Sequence, residues 1–127
     1  MMAQTEVIYG QCPAKANHYQ AVPDGNGGRR IIKDDVIRNY ERSFATQCRI
    51  YRNRLIARPF HLKIDVFYNS LRYDLDNSLK TVLDCLQYAK AIKDDNLCIG
   101  IVASKHIDRT RPRIEYSLIE TEPTLFD

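Results

Sequence analysis

A chain of 127 residues, 44% hydrophobic and 28% charged, has the size and balance of one globular domain around one core, which excludes a disordered, fibrous or multidomain protein. Its net charge of +3 permits a polyanionic partner without requiring one. No run reaches the roughly 18 uninterrupted apolar residues of a membrane span, and Met1 to Val7 lacks the basic-then-apolar order of a secretory leader, so no membrane role and a cytoplasmic location are expected.

In chain order, Glu6-Val7-Ile8-Tyr9 reads as a short strand ending at Gly10, followed by a polar loop from Gln11 to Gln20. Asp24-Gly25-Asn26-Gly27-Gly28 is a turn signal between Tyr19-Gln20-Ala21-Val22 and Arg29-Arg30-Ile31-Ile32, which predicts a hairpin. Asp34 or Asp35 caps a helix in which Val36, Ile37, Tyr40, Phe44, Cys48 and Tyr51 recur at three-to-four spacing up to about Leu55, a face expected to pack on a sheet. The opposite face carries Arg38, Arg42, Arg49 and Arg52, which serve either as solvated surface or as a DNA contact. After Pro59, Phe60, Leu62, Ile64, Val66 and Tyr68 alternate with mostly polar neighbours as the clearest strand of the chain.

A second helix is expected from near Asp74 to about Lys90, with Leu75, Leu79, Val82, Leu83, Leu86 and Ala89 on one stripe. Leu97 to Ser104 is a nearly continuous apolar run, the pattern of a buried strand, and Ile114 to Leu118 alternates as a final strand. The basic stretch Lys105 to Pro112 between them reads as a hairpin loop. With no internal repeat and no linker, the expected fold is α+β: a single compact domain, residues 1–127, with a mixed β-sheet packed against two helices.

Cys12, Cys48, Cys85 and Cys98 form no Cys-x-x-Cys pair and have no histidine at zinc spacing, so they are expected as reduced, mostly buried thiols. His18, His61 and His106 belong to no nucleophile signature and read as structural or DNA-facing. The chemistry concentrates in Arg72-Tyr73-Asp74-Leu75-Asp76-Asn77-Ser78-Leu79-Lys80 and in Asp94-Asp95. Two aspartates separated by one residue point about 200° apart in a regular helix, but they converge when the first lies in the capping segment before it. Such a pair suits Mg²⁺, which takes carboxylate oxygens and keeps several waters, and Asp94 or Asp95 is placed to supply a third ligand. The same residues also fit a plainer arrangement, with Asp74 as a helix cap and Asp76, Lys80 and Asp84 as a salt-bridge ladder. Spacing alone does not choose between ladder and catalytic site.

The string Asp74-Leu75-Asp76-Asn77, followed by Leu79, Lys80, Asp84 and Leu86 and then by Asp94-Asp95 before an apolar strand, resembles the signature of RusA-type Holliday junction resolvases. The similarity extends through Arg113 to Glu120 and, more loosely, back to the loop from Pro13 to Tyr19, so it covers most of the chain. It implies a homodimeric, Mg²⁺-dependent endonuclease that makes paired nicks in a four-way DNA junction, in recombination and repair, inside a bacterial or phage-infected bacterial cell. On this resemblance Asp74, Asp76 and Asp95 bind the metal, with Asp94 able to share the third role. Lys80 is the essential lysine, and Lys15 and Asn17 contact DNA.

Two departures stand out. Cys12 takes the place of one proline of the family's loop, and only Arg72 precedes the first aspartate where family members can carry a run of arginines. The grip on DNA there would then be weaker, or draw on Arg29, Arg30, Lys105, Arg109 and Arg111 as phosphate contacts, which supply affinity without reading sequence. Two other functions fit the same residues: a Mg²⁺ nuclease for other branched DNA, and a DNA-binding module without catalysis whose aspartates only cap the helix. Substrate preference separates the first, and metal binding that Asp74→Asn removes separates the second.

Overall fold

Alternate residues of a pleated strand share one face. Phe60, Leu62, Ile64, Val66 and Tyr68 therefore all turn to one side, and none is more than 1% exposed. In the computed structural model, which describes residues 3–14, 19–33 and 35–121, they form the central strand. The elements in chain order are β1 (Glu6–Tyr9), β2 (Tyr19–Pro23), β3 (Arg29–Lys33), α1 (Asp35–Gln47), β4 (Phe60–Tyr68), α2 (Leu75–Tyr88), β5 (Cys98–Ile107) and β6 (Arg113–Glu120). The sheet is mixed, in the order β1-β6-β4-β5, with β5 parallel to β4 and the other pairings antiparallel. The fold is a single compact α+β domain of a mixed sheet and two helices, as expected.

Both helices lie on one face of this sheet. α1 buries Ile37, Tyr40 and Phe44, and α2 buries Val82, Cys85 and Leu86 beside the inward row of β4. Each large apolar side chain taken fully out of water stabilises the fold by about 1.5–3 kcal/mol. Tyr116 of β6 completes the centre, stacked on Phe44 at 5.8 Å between ring centroids and close to Tyr51 at 5.6 Å. β2 and β3 pair as a separate two-stranded sheet, from Tyr19↔Lys33 to Pro23↔Arg29, with Gly25 and Gly27 at positive φ in the turn. That is the hairpin the turn signal predicts, because only glycine adopts such φ values without strain.

Several boundaries differ from expectation. α1 ends at Gln47 rather than near Leu55. The buried Glu6 carboxylate of β1 accepts the amides of Ile50 and Tyr51, at 2.8 and 3.4 Å, and turns the chain there. Asn53 and Leu55 then take left-handed φ values that no helix continues through. Cys48 and Tyr51 still reach the core, but from this turn, while Val36 is half exposed and off the packed face. Asp34 lies outside the described residues.

The apolar run after Asn96 becomes an edge strand, not an enclosed one. β5 extends to Ile107 and leaves Ile99, Ile101, Val102 and Ile107 between 38% and 66% exposed. The basic stretch after it is no hairpin loop either, because β4 lies between β5 and β6. Runs of apolar residues mark parallel strands, but only neighbours on both sides enclose them, and β5 has one.

Candidate active site

The parallel pairing of β4 with β5 sets where the candidate residues stand. Three connections meet at the C-terminal end of β4: residues 10–14, 69–74 and 108–112. Gly10 donates its amide to Pro112 O at 2.9 Å, Asn69 donates to Gln11 Oε1 at 2.9 Å, and Asp108 donates to Tyr68 O at 2.8 Å. The first of these segments also lies along the start of α2. Thr81 Oγ1 donates to Pro13 O at 2.9 Å, and the Cys12 thiol approaches Ser78 O at 3.8 Å. Burial pushes that thiol up to about 12, the opposite of a reactive cysteine.

Asp74 occupies the N-cap position of α2 in extended conformation, φ −93° and ψ 129°, yet its side chain makes no cap hydrogen bond. An aspartate there ordinarily accepts an amide of the first turn, so this carboxylate is left for another partner. Asp76 follows in the first turn. Both carboxylates are exposed, and the negative fields of both reach the Tyr68 hydroxyl. Burial is the main reason that phenol is pushed up to about 12, and the two aspartates act in the same direction. The hydroxyl donates to Ser78 Oγ at 2.6 Å and stands 3.4 Å from Asp74 O, so a buried tyrosine fixes the place where α2 begins.

Lys80 is exposed, a little over one turn beyond Asp76. Among the described residues no ion pair joins Asp76 to Lys80, so that i, i+4 step of the ladder is not formed. Arg72 lies exposed just before Asp74, 4.9 Å from the Tyr73 ring and donating to the Tyr73 hydroxyl at 2.9 Å. That hydrogen bond draws the Tyr73 phenol below its ordinary value.

Asp95 is elsewhere. It opens a 3₁₀ turn, Asp95–Leu97, leading into β5, and its charge acts on Cys98, which is paired with Phe60 at the far end of β4. The whole of α2, 14 residues and about 20 Å at 1.5 Å per residue, separates it from Asp74. Among the described residues no three carboxylate, histidine or cysteine side chains are grouped to hold a metal. Asp94 caps the same turn, its Oδ1 accepting the Asn96 amide at 2.9 Å, and is thereby occupied, whereas Asp95 has no such task.

Of the other predicted residues, Lys15, Asn17 and His18 lie outside the described residues. Arg29 and Arg30 are exposed on the separate hairpin, not on the loops that meet around Asp74. Arg109 and Arg111 are exposed on the third of those loops, with Arg111 over the Tyr9 ring at 4.6 Å. His106, read as structural or DNA-facing, is exposed, stacks on Phe67 at 4.6 Å and meets Asp65 at 2.8 Å. All four cysteines are free thiols. Sequence reading missed Gln11, Tyr68 and Ser78 as supports, and no motif marks them. Lys105 it read only as a DNA contact.

Two carboxylates at the start of a helix, an exposed lysine one turn on and arginines on the flanking loops suit hydrolysis of a phosphodiester. The family model described as Endodeoxyribonuclease RusA matches residues 11–118. This chain belongs to the RusA family. The match takes in every element from β2 to β5 and most of β6, and with them Asp74, Asp76, Lys80 and Asp95. A RusA-family protein is an endodeoxyribonuclease, so the carboxylate end of the sheet is the place to seek its chemistry. No individual curated protein matches the chain. Among the described residues of this RusA-family member, no helix is long and apolar enough to cross a membrane.

Proposed function

We propose that the protein is a Mg²⁺-dependent endonuclease that resolves four-way DNA junctions by paired nicks, acting as a homodimer in recombination and repair. The observation that carries this reading is the uncapped Asp74 beside Asp76 at the start of α2, with Lys80 unpaired from Asp76 within one chain of the RusA family. Mg²⁺ is commonly held by one or two carboxylates plus waters and phosphate oxygens, so the donor set fits. Asp74 and Asp76 would hold the ion, which when bound supplies Lewis acidity at the scissile phosphate and an acidified water.

The chain's own residues account for the remaining steps. Lys80 faces the negative charge that builds on the phosphate oxygens during attack, where a fixed cation stabilises most. Tyr68, Ser78 and Gln11 hold the backbone from which Asp74 projects. Arg72, Arg109 and Arg111 lie on the same end and bind flanking phosphates. Asp95, a helix length away in its own chain, would reach the same ion only from a second protomer. A two-fold dimer supplies it twice over, and it also sets two equivalent sites on two equivalent strands.

The test is cleavage of a labelled four-way junction with Mg²⁺, beside linear duplex of the same sequence and beside Asp74→Asn. Symmetric nicks in the junction alone are expected. The variant should keep junction binding and lose more activity than the roughly 10- to 100-fold typical of residues that only support a metal ligand. Equal binding of junction and duplex would refute junction selectivity, and cleavage undiminished by Asp74→Asn would refute the assigned site.

A further inference from the structure

The segment between β4 and α2, residues 69–73, is neither helix nor strand, and Leu71 in it is 75% exposed. No regular structure fixes its path, although that path decides where the Asp74 carboxylate starts. The Tyr73 ring stacks on Tyr68 at 5.4 Å and its hydroxyl takes the Arg72 hydrogen bond, while the backbone of the segment is held from outside. Tyr68 O accepts Asp108 N, and Asn69 N donates to Gln11 Oε1. Between these and Asp74, Lys105 Nζ donates to Leu71 O at 2.7 Å and to Tyr73 O.

Lys105 is placed for this by the sheet. In the parallel register it is opposite Val66, on the helix-facing side of β5, where Ala103 precedes it at the same parity. A charged residue at a core-facing position needs partners for its ammonium. Here the partners are two loop carbonyls, with the Tyr68 ring 5.8 Å from Nζ. Hydrogen bonds from an ionised donor are roughly twice as strong as neutral ones.

From this geometry we propose that Lys105 is a positioning residue: it holds the loop from Leu71 to Tyr73 and so places Asp74, and it is not one of the DNA phosphate contacts. The proposal rests on the nuclease reading of that site. A displacement of about 1 Å in a reacting constellation costs on the order of 10²-fold in rate, so loss of this clamp is felt in cleavage before binding.

The experiment uses the full chain with Lys105→Met, which keeps the packed stem and removes the donors. Single-turnover junction cleavage is expected to fall roughly 10- to 100-fold, as for residues that support a ligand from outside. Junction affinity and its salt dependence should match the wild type, and amide exchange should quicken at residues 69–74 but not in β6. Lys105→Arg, which keeps cationic donors, should recover part of the cleavage. If the Met variant does not fold, Lys105→Gln carries the same readouts with the same pattern expected. Weaker binding with a salt slope reduced by about 0.9 would make Lys105 a phosphate contact, and unchanged cleavage with unchanged exchange would deny it any part in placing Asp74. Either result overturns the proposal. Wild-type protein that binds junctions without cutting them would instead defeat the nuclease reading, and the exchange data would then decide Lys105 alone.

Discussion

Asp108 uses both carboxylate oxygens to shape the loop that carries Arg109 and Arg111. Oδ1 accepts from Thr110 N, Thr110 Oγ1 and Arg111 N at 3.0–3.1 Å, and Oδ2 accepts from Arg113 at 2.9 Å. The Arg113 hydrogen bond, followed by the Arg111 amide, draws its carboxyl from the ordinary 3.8 down to about 2. A carboxyl held low in the folded state contributes stability above its ordinary value and loses it as the pH falls toward the lowered one. Asp108→Asn is therefore expected to lower Tm at pH 7, and the gap to the wild type should close as the pH falls from about 3.8 to about 2. Melting curves at a series of acid pH values check this, and a gap constant with pH would mean that ionisation of Asp108 plays no part. The carboxylate is at the surface, so the effect is modest and shrinks with salt.

At the scale of elements, the two helices differ in what their buried faces do. α1 packs by apolar contact alone at Phe44, which is fully buried, stacked on Tyr116 and edge-on to Tyr40 at 6.3 Å. Phe44→Ala is expected to cost about 3–5 kcal/mol. Val36→Ala, on the exposed side of the same helix, should stay within about 0.5 kcal/mol. Denaturant unfolding measures both, and comparable losses would mean that the assigned face is wrong. α2 instead buries Ser78 and Thr81 toward the loops: Ser78 receives the Tyr68 hydroxyl and Thr81 holds Pro13 O. Both helices thus anchor the core, and α2 also ties the site's connections to it.

At the scale of the molecule, the separation of Asp95 from Asp74 bears on the proposed dimer, because a role for Asp95 at the Asp74 site would need a second protomer. Asp74→Asn and Asp95→Asn proteins, each inactive alone, are expected to regain cleavage when mixed and allowed to exchange subunits. Each mixed dimer would hold one intact site, so single nicks should appear in place of paired ones. Gel analysis of a junction labelled on each strand in turn reads this directly. If no cleavage returns although mixed dimers form, Asp95 does not act across the interface. Binding by either variant should keep the wild-type salt slope, because neither aspartate is a phosphate contact.

Most of the fold and half of the candidate site are legible in the sequence, for physical reasons. Alternation from Phe60 to Tyr68, the glycine turn at 24–28 and the stripe from Leu75 to Leu86 depend on local backbone geometry, so β4, the hairpin and α2 could be read from residue order. Asp74 and Asp76 were legible for the same reason, because two residues apart at a helix start is a local relation. What no local pattern carries is which strand lies beside which. Tertiary structure alone made β5 an open edge, put β4 between β5 and β6, stopped α1 at the Glu6 carboxylate and sent Lys105 to the carbonyls of another loop. It also set Asp95 at the opposite end of α2, since a parallel crossover returns the chain to the end of the sheet where the first strand began.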